Sequence, residues 1–258
     1  MNVINIAHGA FIMLGAYVSY WLFVGPMHLD PFLSIPLSMA VMFVLAYLVQ
    51  RFIINQVIRA PLLATFLLTF GLSILIANLA QIWWSSDIRS VTTAYSGSSI
   101  ALGGLSIPWV KLWTLVIACA FTGGLQAFMT RTKVGRAIRA TSMDVDAARL
   151  SGVDVARIYA LTFAIGGALA AGAGSLVSVS YAITPSMGDS FVVRAFVVSV
   201  LGGLGNVTGA LVGGLVYGII ESFGALWFGE GFKDVVAMIV LLLVILFRPY
   251  GLVGKATA

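Results

Sequence analysis

Long runs of apolar residues, separated by short polar connections, are the feature that most restricts how this chain can fold. A helix needs about 20 consecutive apolar residues to cross the hydrocarbon core of a bilayer. The runs that approach this length occupy residues 6–24, 32–54, 61–84, 109–130, 158–180, 191–204, 207–228 and 235–247. With 60% hydrophobic and 9% charged residues, a water-soluble fold would lack the polar surface to cover its core. The sequence therefore predicts an all-α, polytopic membrane helix bundle of about seven transmembrane segments.

The run at residues 191–204 is short for a full crossing. It leads into four glycines, Gly202, Gly203, Gly205 and Gly209, and glycine readily interrupts a helix. A broken or re-entrant element is predicted here, which a membrane tolerates only where other helices cover the freed backbone groups.

Small residues recur at four-residue spacing in the later runs. The pairs are Ala168 and Gly172, Ala170 and Gly174, Gly209 and Gly213, and Gly214 and Gly218. This spacing lets two helix backbones approach closely, so it predicts helices that lie inside a bundle or at a subunit interface.

Positive charge is concentrated in one polar segment, residues 131–157, which holds six of the fourteen Lys and Arg residues. Placing this segment in the cytoplasm puts ten basic residues inside and four outside, as the positive-inside rule requires. The C-terminus is then cytoplasmic as well. Residues 85–108 become the largest outer loop, predicted to be a small hairpin, a cap where a soluble partner docks, or an ordinary connection.

A short helix is predicted within the cytoplasmic segment. Thr141 followed by Asp144 fits a capping box, and Gly152 can end the helix in a left-handed conformation. The apolar face of this helix is formed by Met143, Ala147 and Leu150. Because its N-terminal half is acidic, a protein partner is favoured over an interfacial position on an anionic lipid surface.

The sequence DAARLSG at residues 146–152 resembles the Glu-Ala-Ala-x-x-x-Gly loop by which permease subunits of ABC importers insert a coupling helix into a groove on their ATPase. Asp146 stands where the family usually has Glu, which keeps the charge and shortens its reach. The resemblance implies an ATPase-coupling site formed by Asp146, Ala147, Ala148, Arg149, Leu150 and Gly152.

Further segments narrow this resemblance to one family. They are NIAHGAFIMLGAY from Asn5, RAPLLATFLLTFGLSI from Arg59, GRAIRAT from Gly135, SMG from Ser186, AFVVSVLGGLGNVTGALVGG from Ala195 and RPYGLVG from Arg248. Together they resemble the permease subunits of branched-chain amino acid ABC importers, and permeases for urea and short-chain amides are similar across the same segments. In the family, another apolar helix precedes the motif that begins at Asn5, so this chain is expected either to lack that helix or to begin at an internal methionine.

The resemblance implies a single transmembrane permease domain over residues 1–258 in the bacterial inner membrane. It also implies two ATPase subunits, a second homologous permease and an extracytoplasmic substrate-binding protein as partners, besides the lipid bilayer.

No Gly-x-x-x-x-Gly-Lys-Ser/Thr phosphate loop, His-Glu-x-x-His signature or Gly-x-Ser-x-Gly elbow occurs in the sequence. The chain is therefore expected not to be an enzyme, to hold no metal or cofactor, and to leave ATP to its partners. No nucleic-acid partner is expected, because basic and aromatic residues are not interleaved.

Polar residues within the apolar runs are candidates for a role inside the membrane. Glu221 is the single acid in its run, and an ionised carboxylate there needs a partner. At about 1.5 Å per helical residue, its depth matches that of Arg194. The two are expected to approach each other, either as a structural lock between helices or as contacts for a zwitterionic amino acid. Weaker candidates are His8, Asn5 and Asn78.

Two other functional classes compete with an importer subunit. A stand-alone secondary transporter or channel would need paired broken helices and an ionisable cluster at mid-membrane, for which Glu221 alone is little support. A non-transporting membrane anchor would explain the apolar runs and leave unexplained the polar segment at residues 131–157, called the coupling segment below.

Overall fold

The computed structural model describes residues 5–57, 60–102, 105–248 and 251–253, and most of this part is helical. In chain order the helices are α1 (Ala7–Val24), α2 (Pro31–Val49), α3 (Asn55–Val57), α4 (Leu62–Trp84), α5 (Trp109–Arg131), α6 (Lys133–Met143), α7 (Val145–Leu150), α8 (Val155–Val177), α9 (Met187–Gly202), α10 (Val207–Phe228) and α11 (Lys233–Phe247). A π-helical turn, Gln50–Ile54, joins α2 to α3, and a 3-10 turn, Glu230–Phe232, precedes α11. Strands β1 (Ser99–Leu102) and β2 (Leu105–Pro108) form an antiparallel hairpin.

Six helical stretches within the described part are long and apolar enough to cross a membrane. They are α1, α2 with its continuation to Val57, α4, α5, α8 and α10. The all-α, polytopic prediction is confirmed. The two remaining apolar runs form shorter helices, α9 with 16 residues and α11 with 15. The predicted break follows α9, where Gly203 and Gly205 adopt φ angles of 97° and 83°, a backbone conformation that suits glycine.

Polar side chains fix where several of the helices begin. Asp30 accepts a hydrogen bond of 2.9 Å from the backbone N–H of Phe32, and Pro31 occupies the first position of α2. Asn206 caps α10 in the same way, with 3.0 Å between its side-chain oxygen and the N–H of Gly209. These caps satisfy backbone donors that have no partner within the helix.

The chain forms two compact units. The first comprises residues 1–117 and 128–191, and the second comprises residues 118–127 and 192–258. In the first unit α8 packs against α1 and α2, with Phe11, Met42, Ala46 and Phe163 in the shared core. In the second unit α9, α10 and α11 share a core formed by Val197, Leu201, Tyr217, Ala237 and Leu241.

Glycine allows the closest helix contacts in the first unit. A Cβ added at Gly174 of α8 would overlap the carbonyl oxygen of Ile12 in α1. A Cβ added at Gly15 of α1 would overlap the backbone of Ala171 in α8. The close approach predicted from the spacing of small residues in α8 is therefore confirmed.

The glycine pairs predicted in α10 differ in their surroundings. Gly209 and Gly213 are buried, and a Cβ added at Gly213 would overlap the carbonyl oxygen of Val198 in α9. By contrast, a Cβ added at Gly218 would lie in open space. Among the described residues, the first pair allows α9 and α10 to approach backbone to backbone, whereas a Cβ at Gly214 would make only an ordinary contact with the side chain of Val198.

Candidate functional site

The coupling segment contains two helices that meet at Asp144. Asp144 ends α6 and caps α7, because its side-chain oxygen accepts hydrogen bonds from the backbone N–H groups of Asp146 at 2.8 Å and Ala147 at 3.0 Å. After α7, Gly152 adopts a φ of 81°, as predicted for a left-handed helix end. The backbone N–H of Val153 then bonds to the carbonyl oxygen of Ala148 at 3.1 Å. The turn out of α7 is thereby fixed.

The prediction that Thr141 begins this helix is wrong. Thr141 lies inside α6, where it is buried and its hydroxyl donates to the carbonyl oxygen of Ala137 at 2.8 Å. The cap of α6 is Thr132, which accepts a hydrogen bond of 3.0 Å from the N–H of Gly135. Because a helix starting at Thr132 already satisfies the backbone around Thr141, the capping role falls to Asp144 alone.

Two apolar side chains of the coupling segment are almost fully exposed. Met143 is 89% exposed and Leu150 is 92% exposed, but Met143 ends α6 while Leu150 ends α7, so the prediction that they share one helix face is wrong. Ala148, on the other side of α7, is 4% exposed and anchors the helix to its own unit. Asp146 and Arg149 form a surface ion pair of 3.3 Å. The coupling segment therefore presents apolar side chains that nothing in the described part of the chain covers.

The second unit contains a cluster of ion pairs on α9, α10 and α11. Arg194 lies 3.5 Å from Glu221 and 3.2 Å from Asp234, so the predicted approach of Arg194 and Glu221 is confirmed. Lys233 also approaches Glu221, at 3.9 Å, and pairs with Glu230 at 2.8 Å. The sequence reasoning missed Asp234 and Lys233, although both lie in the first turn of the helix that follows the run containing Glu221.

The weaker polar candidates all lie in the first unit. Asn5 precedes α1 and has a buried side-chain oxygen without a hydrogen-bond partner among the described residues. His8 lies in the first turn of α1 and is half-buried. Asn78 is exposed, and its amide donates to the carbonyl oxygen of Ile74 in its own helix at 2.8 Å. Among the described residues, no group of His, Cys, Asp and Glu is placed to hold a metal ion.

The outer loop contains the hairpin that was one of its predicted forms, with Ser99 paired to Pro108 and Leu102 paired to Leu105. Before the hairpin, the hydroxyl of Tyr95 donates to Asp30 at 2.8 Å. Burial, together with this hydrogen bond, raises the pKa of Tyr95. A cavity of about 630 Å³ lies beside it and is lined by Phe32, Tyr95, Ser98, Trp109, Trp113 and Ile117. The loop is thus attached to the start of α2.

Comparison with known protein families matches residues 1–246 to the permease component of branched-chain amino acid transport systems. The chain belongs to this permease family. The family resemblance predicted from the motifs is therefore confirmed over nearly the whole length, and the permease is a multi-pass membrane protein. No solved structure matches it.

Curated relatives support the same assignment. One relative is BraD of Pseudomonas aeruginosa, a high-affinity branched-chain amino acid transport system permease protein. It is 35% identical over an alignment of 270 residues that includes 99% of this permease and 87% of BraD. LivH of Escherichia coli K12, described in the same words, is 29% identical over 269 residues with the same coverage. A probable branched-chain amino acid transport permease of Methanocaldococcus jannaschii is also 29% identical, over 98% of the permease and 84% of the relative.

Removing Arg194 is expected to destabilise the permease more than removing Glu221. In Arg194→Gln, Asp234 loses its ion pair, while Glu221 keeps Lys233. In Glu221→Gln, Arg194 keeps Asp234. Because Arg194 and Glu221 have side chains only 19% and 21% exposed, a double-mutant cycle on this pair is expected to give a coupling free energy of about 1–2 kcal/mol. Thermal unfolding of the single and double variants in detergent measures both the loss of stability and this coupling free energy.

The pair of half-buried Lys233 and exposed Glu230 provides the control for this cycle. Glu230 has a side chain 80% exposed, and exposed ion pairs contribute about 0.2–1 kcal/mol. A Lys233→Gln and Glu230→Gln cycle should therefore give the smaller coupling free energy. Equal coupling in the two cycles would contradict a structural role for the Arg194–Glu221 contact.

Proposed function

We propose that this permease is an inner-membrane subunit of an ATP-driven importer that translocates branched-chain amino acids. The proposal rests chiefly on the coupling segment, where Met143 and Leu150 are exposed. The predicted orientation puts this segment on the inner side, and residues 146–152 resemble the ATPase-docking loop. Exposed apolar side chains of this kind on a soluble loop need a cover, and a groove on an ATPase supplies one.

The packing of the first unit gives this segment a mechanical role. α7 packs against α6 and α8, and Ala148 and the Val153 hydrogen bond hold it to the start of α8. α8 in turn contacts α1 and α2 at glycine positions where an added Cβ would overlap atoms of the neighbouring helix. A displacement of α7 by a closing ATPase would thus move α8 and its neighbours together, which is the kind of rigid-body step that alternating access requires.

The proposed assembly contains two ATPase subunits, a second homologous permease and an extracytoplasmic binding protein that delivers the amino acid. ATP binds to the ATPase subunits, because the chain carries no phosphate-binding loop. The coupling segment and the C-terminus are cytoplasmic, as the excess of basic residues on that side favours. The names of the curated relatives favour branched-chain amino acids over urea and short amides as the substrate.

Transport in proteoliposomes tests the proposal. The permease is reconstituted with its second permease and ATPases, the binding protein and labelled leucine are added outside, and ATP is enclosed. Uptake is expected with ATP and not with a non-hydrolysable analogue, and an ionophore that dissipates ion gradients should leave it unchanged. Uptake by the permease alone, driven by an ion gradient, would instead identify a secondary transporter.

A further inference from the structure

Four basic residues follow one another at the end of α5 and along α6. They are Arg131, Lys133, Arg136 and Arg139. Arg131 is the last residue of a helix long enough to span the membrane, and no acidic residue occurs between Arg131 and Asp144. None of the ion pairs found in the described part of the chain involves these four side chains.

The depth of these cations is fixed by a glycine contact. A Cβ added at Gly135 would overlap the carbonyl oxygen of Phe128 and the backbone of Met129, so the first turn of α6 lies directly beside the last turn of α5. At about 1.5 Å per residue, Phe128 lies only one turn above the end of the span. Lys133 and Arg136, which flank Gly135, are therefore held at the level where a spanning helix meets the lipid headgroups.

The buried and basic residues of α6 occupy opposite faces. Gly135, Ile138 and Thr141 are buried, and α6 packs against α8. At about 100° per residue, Lys133, Arg136 and Arg139 centre on the side away from them. Lys133, Arg136 and Arg139 are all exposed. Packing therefore leaves the charged groups of this face available to a ligand.

We propose that this basic face, formed by Arg131, Lys133, Arg136 and Arg139, binds the phosphate groups of anionic phospholipid headgroups. Guanidinium groups donate paired hydrogen bonds to phosphate oxygens, and lysine adds a compact positive charge. Clusters of basic residues directly after a transmembrane helix attract anionic lipids over about one Debye length. The depth set by Gly135 favours a lipid over an acidic protein, because headgroups already surround the end of α5.

Lipid retention by the full-length permease tests this site. The protein is equilibrated in mixed micelles of phosphatidylglycerol and phosphatidylcholine, and the lipids that stay bound are counted by native mass spectrometry. The wild type should retain phosphatidylglycerol preferentially. The triple variant Lys133→Gln, Arg136→Gln, Arg139→Gln should lower this preference about tenfold or more. Each basic residue near the membrane surface raises the affinity for anionic lipid several-fold.

A second triple variant with the same change in net charge is the matched control. It replaces Arg51, Arg157 and Arg248, three exposed arginines of the same predicted side, by Gln, and should keep the preference for phosphatidylglycerol. Equal loss in both triple variants, or no preference in the wild type, overturns the proposal. Displacement of the bound lipid by millimolar inorganic phosphate would also overturn it, because the site would then bind free phosphate rather than a headgroup.

Discussion

Leu150→Asp is expected to lower ATP-driven uptake by about tenfold or more while the permease stays folded. Leu150 is 92% exposed on α7, so its replacement removes almost no buried apolar surface from the chain itself. In the proposed assembly the same side chain enters a groove on the ATPase, where a carboxylate would lose its hydration without a partner. Uptake in proteoliposomes and the thermal unfolding midpoint in detergent measure the two effects separately.

Met27→Asp is the control for this substitution. Met27 is 68% exposed in the connection between α1 and α2, so the same new charge replaces an exposed apolar side chain outside the coupling segment. Uptake by Met27→Asp should be close to that of the wild type. Normal uptake by Leu150→Asp would contradict the docking of this side chain against an ATPase.

Gly174→Ala is expected to lower the free energy of unfolding by about 2 kcal/mol or more. The added methyl group would overlap the carbonyl oxygen of Ile12 and approach the backbone N of Ala16. A backbone cannot move aside as the end of a flexible side chain can, so α1 and α8 must separate and lose packing along their whole contact. Thermal or denaturant unfolding in detergent measures the change.

Gly166→Ala provides a matched substitution in the same helix. A Cβ added at Gly166 meets nothing within 4 Å, and alanine favours the helical conformation over glycine by about 0.5–1 kcal/mol. This variant should therefore be as stable as the wild type or slightly more so. Destabilisation of both variants to the same extent would show that the contact of α1 with α8 is not the cause.

Much of the secondary structure could be predicted from the sequence, with errors where two local signals compete. The run predicted at residues 109–130 is observed as Trp109–Arg131, and the run at 207–228 is observed as Val207–Phe228. The helix cap at Thr141 was predicted wrongly, because the capping pattern from Thr141 to Asp144 looks the same whether or not a helix already passes through it. That helix is started by Thr132, nine residues earlier.

The candidate site was predictable where it depends on local pattern. The left-handed end of α7 at Gly152 follows from the local sequence, and the approach of Arg194 to Glu221 follows from their depths. The larger ion-pair cluster was not predicted, because Asp234 reaches Arg194 only through the packing of α9 against α11. No spacing within one helix specifies such a contact.

The sequence by itself determined that this protein crosses the membrane as helices and presents one polar segment between them. An apolar run of about 20 residues has no other stable form in lipid, since its backbone groups must bond to one another. The tertiary structure alone decided that Gly174 touches a neighbouring backbone while Gly166 and Gly218 face open space. It also decided that Gly135 holds a row of cations beside the end of α5. The first outcome depends on which helices meet and at what angle, and that is set by side chains far apart in the chain. The second depends on the direction of the turn between α5 and α6, which the spacing of residues does not specify.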